Sequence, residues 1–272
     1  MDATIKYLAQ SNAVLIVTLA RYAFAAAISF GVWLHAGAPR ITVAMWRAHL
    51  VRGLVIASCA VTFFWALTVL PLAEAVTLSF IYPLAAPFVA RAMLGERVRA
   101  SSVGAAAIGF VGVLVAVAGA PSGAANSQHT LGLIAVLYSA LMFAVSMVMM
   151  RARAVADGPI IVGLLASLMP GLIVAAPAIA LSPPPNLSDW PGFLFLGAIA
   201  ALFMYLISHA YARAEAQQLA PIHYTELLWA SLYGYLLFHE TPRPQLLLGA
   251  GLIIAACLYT AYEERRLTAK AV

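Results

Sequence analysis

Nine apolar runs follow one another along the chain, with short polar breaks between them: roughly Asn12–Ala36, Ala48–Leu70, Leu72–Leu94, Ser101–Gly119, Thr130–Met150, Pro159–Leu181, Trp190–Ala212, Gln217–Phe238 and Leu246–Tyr262. Each is close to the roughly 20 residues a helix needs to cross a bilayer. The breaks carry turn-forming residues: Ala38-Pro39-Arg40, Gly95-Glu96-Arg97, Pro121-Ser122-Gly123, Ser182-Pro183-Pro184-Pro185 and Thr241-Pro242. Inside lipid no water satisfies the backbone, and these runs are too long for barrel strands, so they are expected to be helices. The predicted fold class is all-α, a polytopic membrane helix bundle.

Composition supports that solvent assignment. Hydrophobic residues make up 64% of the 272 and charged residues 9%, with a mean hydropathy of +0.95. A water-soluble domain carries about 25% charged residues. The net charge is +5, which in a soluble protein would point to nucleic acid. Here the basic residues sit at run ends, so no nucleic acid is expected and the charges are read as topology signals. One set of alternate loops holds Arg40, Arg47, Arg52, Arg91, Arg97, Arg99, Arg151, Arg153, Arg213, Arg265, Arg266 and Lys270, whereas the other set holds Arg243. The positive-inside rule makes the first set cytoplasmic, together with the C-terminus, in a bacterial-type inner (plasma) membrane. Met1–Ser11 then lies near the outer surface. Met1–Gln10 lacks the basic and apolar regions of a cleavable signal peptide. Cys59 and Cys257 lie within apolar runs, as packing residues do.

Two stretches resemble each other, Trp65–Val115 and His209–Tyr259. In each, alanine-rich sequence leads to a helix, then to an acid three positions before an arginine (Glu96 and Arg99, Glu240 and Arg243), then to a Gly-containing helix. The charge pattern puts the two acids on opposite sides of the membrane, and halves of opposite topology are characteristic of secondary transporters. The string Ala66, Pro71-Leu72-Ala73-Glu74-Ala75, Pro83, Gly95-Glu96-Arg97, Gly104, Gly109 and Gly112 resembles the drug/metabolite transporter superfamily, specifically its EamA-type ten-helix exporters. The second copy keeps Glu226, Glu240 and Gly249, with Leu227 where the family usually has proline and His239 where it usually has glycine. The resemblance implies two inverted five-helix repeats, here residues 1–120 and 129–264, in one membrane domain. Met1–Ser11 reads as the tail of a truncated first helix.

Ionisable groups inside lipid cost roughly 2.5–3.5 kcal/mol on insertion scales and are therefore candidate functional residues. Glu226 falls mid-run, with His223 three positions before it on the same helix face. A carboxyl group in an apolar cavity suits proton coupling; the alternative is a packing hydrogen bond. His209, with Tyr205 one turn earlier, lines a cavity or is a satisfied core histidine. Arg21 is placed to bind a substrate carboxylate through its planar fork, to pair with Glu74 or Glu226, or to reach the surface. Trp65, Tyr82, Trp229 and Tyr233 are aromatic candidates for stacking on a flat substrate or for packing. Trp33, Trp46 and Trp190 lie at run ends as interface anchors. Glu96 and Glu240 read as caps or inter-helix ties, and Gly104, Gly109, Gly112, Gly249 and Gly251 as close-packing positions.

The resulting expectation is a secondary transporter moving a small metabolite, by resemblance an amino acid or similar amphipathic compound, by export. The partners are that metabolite, membrane lipid and protons, and the chain acts as a monomer or homodimer. A membrane enzyme acting on lipid would show clustered acids or a recognisable motif, and no DxxxD, HExxH, P-loop or GxSxG occurs. No catalytic residue, metal or cofactor is expected. A structural membrane subunit is the third reading, disfavoured by the repeat and the charges in the core.

Overall fold

The computed structural model describes residues 1–95, 98, 100–118, 127–211, 226 and 229–271. Its helices are α1 (Asp2–Leu8), α2 (Val14–His35), α3 (Val43–Val69), α4 (Leu72–Ser79), α5 (Tyr82–Leu94), α6 (Ala100–Ala118), α7 (Ser127–Asp157), α8 (Pro159–Leu181), α9 (Trp190–Tyr211), α10 (residues 229–238) and α11 (Pro244–Ala271). No strand occurs among the described residues. Among the described residues, seven stretches are long and apolar enough to cross a membrane: Val14–His35, Val43–Val69, Leu72–Met93, Ser127–Met150, Pro159–Leu181, Trp190–Ile207 and Pro244–Glu263. The chain is a polytopic helical membrane protein. Much of the expected eighth run, with Gln217, His223 and Leu227, lies outside the described residues, as do Glu96, Arg97, Arg99 and Arg213.

The expected single run Leu72–Leu94 is two helices, broken at Phe80–Ile81. Pro83 supplies no N–H and disfavours helical geometry just before it, so α4 stops short and α5 starts afresh with proline in its first turn. Local turn bonds, Phe80 N to Thr77 O at 3.2 Å and Ile81 N to Leu78 O at 3.3 Å, keep the backbone satisfied across the break. Pro71, just before α4, separates it from α3 in the same way.

Positive φ follows α2 at Gly37 and Ala38, α5 at Gly95, α7 at Gly158 and α10 at His239. Gly95 closes α5 at φ 70°, and His239 closes α10 at φ 55°. The His239 position is the one where the family resemblance has glycine, the residue that takes this conformation without steric cost. His239→Gly is expected to raise stability by about 0.5–1 kcal/mol, the relief of the left-handed penalty less the entropy glycine adds to the unfolded chain. Thermal unfolding in detergent measures it; an unchanged or lower midpoint would show that the imidazole holds the turn by other contacts.

The helices form two compact units. Unit 1 takes Met1–Thr68 and Met149–Ala214, and unit 2 takes Val69–Val148 and Glu215–Val272. Each combines a segment from the first part of the chain with one from the second. In unit 1, α2 packs on α8 and α9. α1 is too short to cross a membrane and tucks Leu8 (1% exposed) under α9 at Gly192. The turn after α1 is latched to the α8–α9 loop. The Asn12 amide and Ser11 hydroxyl donate to Asp189 Oδ2 at 2.6 and 2.8 Å, which holds that carboxyl below its usual range.

In unit 2, α6 and α11 meet backbone to backbone. A Cβ on Gly112 would lie 2.9 Å from the Gly249 carbonyl oxygen, and one on Gly249 would collide with the Gly112 carbonyl and sit 2.7 Å from Ala116 N. Gly109 is similarly tight against Leu84. Gly104 and Gly251 depart from the close-packing expectation: among the described residues nothing lies within 4 Å of a Cβ added at either, because they face away from the seam. Cys59 and Cys257 are buried, and the Cys257 thiol faces the Phe80 carbonyl at 3.8 Å.

Candidate functional site

Unit 1 carries a buried chain of polar side chains. α2 places Arg21, 7% exposed, with its guanidinium carbon 4.4 Å from the Tyr22 ring centroid and 5.8 Å from that of Phe64 on α3. Tyr22 fits against α8 because Gly171 has no side chain; a Cβ there would stand 3.2 Å from the Tyr22 Cβ. Its phenol lies within electrostatic reach of both Arg21 and Arg52. Arg52, on α3 and 6% exposed, donates to the Met150 thioether at 3.6 Å. Nε of Arg21 and Nε of Arg52 are both buried without a hydrogen-bond partner. No carboxylate forms an ion pair with either arginine among the described residues.

Beyond Arg52 comes His49, 2% exposed, whose Nε2 stands 3.0 Å from Asp157 Oδ2. Arg153 holds the same carboxylate with two hydrogen bonds of 3.1 Å, the planar fork of a guanidinium matched to both oxygens. His49 Nδ1 is buried and unpartnered.

Unit 2 has a second ionic cluster. Glu74, 1% exposed, faces Arg243 at 3.0 Å and His129 at 3.6 Å. Glu240 ties the start of α4 to the loop after α10 by accepting the Leu72 N–H at 2.7 Å, as expected for an inter-helix tie. His49 is near the start of α3 and Glu74 just past its end, while His129 is near the start of α7 and Asp157 is its last residue.

The sequence-derived candidates fall out as follows. Arg21 is buried, and the acid at Glu74 that it was offered is engaged with Arg243 and His129. Trp65 is half-buried on α3 in unit 1. Tyr205 and His209 do come together: their ring centroids are 4.2 Å apart and His209 Nδ1 stands 2.8 Å from the Tyr205 carbonyl. Tyr205 also borders a half-open apolar groove of about 290 Å³ between α2, α8 and α9. In unit 2, Tyr82 sets its edge against Phe143 at 4.8 Å and packs on the Val89, Ala90, Ala144 and Val148 cluster. Trp229, 54% exposed, stacks on Tyr233 at 6.0 Å. Glu226 is exposed, and its expected partner His223 lies outside the described residues. Sequence reasoning missed His49, Arg52 and Asp157 as one cluster. The available signal was slight: His49 and Arg52 stand in the first five residues of the apolar run Ala48–Leu70, and the helix that starts at Val43 carries them into the span. Among the described residues no three His, Cys, Asp or Glu side chains gather as a metal site would need.

The profile of the EamA-like transporter family matches this chain twice, over residues 2–118 and 130–262. The chain belongs to the EamA-like transporter family. Among its relatives, the riboflavin transporter of Rhizobium johnstonii is 31% identical over 226 residues, covering 81% of this chain and 72% of that protein. The S-adenosylmethionine uptake transporter of Rickettsia bellii is 24% identical, covering 82% and 75%. The riboflavin transporter of Brucella anthropi is 26% identical, covering 92% and 88%. A solved crystal structure shares the fold at a TM-score of 0.68 and 23% identity, covering 98% of this chain and 94% of that one. This EamA-like protein is thus a membrane transporter of small metabolites and not an enzyme.

Proposed function

We propose that this EamA-like protein carries a small amphipathic metabolite across a bacterial inner membrane by alternating access, with its arginine-rich loops and C-terminus in the cytoplasm. The observation that carries this reading is the double match of one family profile, over residues 2–118 and 130–262. Combined with basic residues concentrated in alternate loops, two copies of one unit in opposite orientations would give a carrier whose two faces are equivalent by construction. The relatives named for S-adenosylmethionine and riboflavin favour a substrate with a flat heterocycle and polar ends. The resemblance to amino-acid exporters favours a smaller compound moving outward. A carrier without a coupled ion runs with its substrate's own gradient, so one site serves either direction.

Counterflow in proteoliposomes tests this. Vesicles are preloaded with S-adenosylmethionine, riboflavin, or pools of amino acids, nucleosides and organic acids, and accumulation of external label is followed with and without a pH gradient. One pool is expected to drive accumulation, and Trp65→Ala and His209→Ala to slow it about tenfold or more. Such a loss corresponds to about 1.4 kcal/mol of lost contact. If a pH gradient accelerates exchange, Glu226→Gln is expected to abolish that acceleration. A carrier that ran at wild-type rate with both alanine substitutions would remove these two residues from the site, and silence with every pool would remove transport of these classes.

A further inference from the structure

We propose that Arg21 and Arg52 form a buried receptor for an anionic oxygen group, a carboxylate or phosphate, on the transported metabolite. This rests on the transporter reading and names the chemistry of its substrate. Both guanidiniums are more than nine-tenths buried, and each keeps an Nε–H without an acceptor. A buried charge is tolerated only when paired and hydrogen-bonded. Arginine has no escape by deprotonation, since its guanidinium stays protonated in proteins.

The neighbouring groups do not supply the missing charge. Arg21 has two aromatic faces, Tyr22 and Phe64. Arg52 has a thioether, a weak acceptor. The nearest acid along the chain of polar groups, Asp157, is already held by both arms of Arg153 and by His49. From Arg21 to Arg153 that chain holds three guanidiniums against one carboxylate. Tyr22, whose phenol oxygen accepts a hydrogen bond from Arg21 and lies within reach of Arg52, has an O–H to donate to the same anion. A planar fork beside a phenol matches the two oxygens of a carboxylate or the face of a phosphate.

The test uses the purified chain and two matched probe pairs: S-adenosylmethionine against its decarboxylated form, and riboflavin 5′-phosphate against riboflavin. Acetate and inorganic phosphate serve as bare anions. Binding is read as the rise in unfolding temperature over chloride at matched ionic strength. At least one anionic member is expected to act at concentrations about 10- to 100-fold below its partner, the range of a lost charge-assisted hydrogen bond. Arg21→Gln and Arg52→Gln are each expected to erase that preference. Arg21→Lys and Arg52→Lys, which keep the charge and lose the fork, retain part of it and serve if the glutamine variants do not fold. Preference within one pair alone identifies the group as carboxylate or phosphate. Equal response within both pairs, no response to any of the six compounds, or a preference surviving the substitutions overturns the receptor. Counterflow with the same probes separates the two readings: exchange without anion preference removes the receptor and leaves the carrier, whereas arginine-dependent binding without exchange leaves the receptor and removes the carrier.

Discussion

An Asp157→Ala chain is expected to lose about 3 kcal/mol of stability, the low end of the range for breaking a buried ion pair by removing one partner. His49 is 2% exposed and among the described residues its partner is this carboxylate, so it is left with both ring nitrogens unpaired. Arg153, 36% exposed, turns to water once released, which keeps the loss from the top of the range. Asp157→Asn keeps an acceptor for His49 and gives up the charge, so its loss is about 1 kcal/mol, that of an ordinary hydrogen bond made weaker. Thermal unfolding in detergent of Asp157→Ala, Arg153→Ala and the double variant measures the pair directly. The double variant is expected to fall short of the sum by about 0.5–1 kcal/mol, the coupling of residues in one network. Simple additivity would mean that the two side chains meet without holding each other.

Gly249→Ala is expected to be the most damaging single methyl in unit 2, at about 1–3 kcal/mol for overpacking. The added Cβ meets the Gly112 carbonyl, the Ala116 Cβ at 2.6 Å and Ala116 N at 2.7 Å. Two of those neighbours are backbone, so no rotamer change makes room and α11 must move off α6. Gly251→Ala is the control: two residues away and facing open space, it is expected to change stability by less than about 0.5 kcal/mol. The comparison is made by unfolding temperature. Equal effects at the two positions would mean that the seam is looser than its geometry.

The helices were largely legible in the sequence, because lipid leaves each span one way to satisfy its backbone. Pro159–Leu181 has the same bounds as a run and as a helix. The break inside Leu72–Leu94 was written in Pro83 but hidden by hydropathy, which averages over a proline. The charged clusters were much less legible. α3 begins at Val43, five residues before the run that announced it, and this carries His49 and Arg52 inside a span where the charge pattern had counted Arg52 as loop. Arg243, the lone basic residue of its side, gave no sign that it would meet Glu74. Hydropathy says which residues enter the membrane. It says nothing of which helix they meet there, because lipid-facing and helix-facing positions are equally apolar.

The composition of the two units has a consequence for how the protein is made. Synthesis reaches Thr68 and then Val148 with neither unit complete, since each waits for a segment encoded later. α2 has no α8 or α9 to pack on until the ribosome has passed Tyr211, and α6 stands with its glycine seam open until α11, the last described helix, arrives. During that interval the early helices are inserted but unpaired, and Tyr22 and Arg52 meet lipid or water before they meet Gly171 and Met150. Newly made chain is therefore the form most exposed to the cell's membrane proteases, and substitutions at Gly249 or Asp157 should show first as lower yield of protein in the membrane.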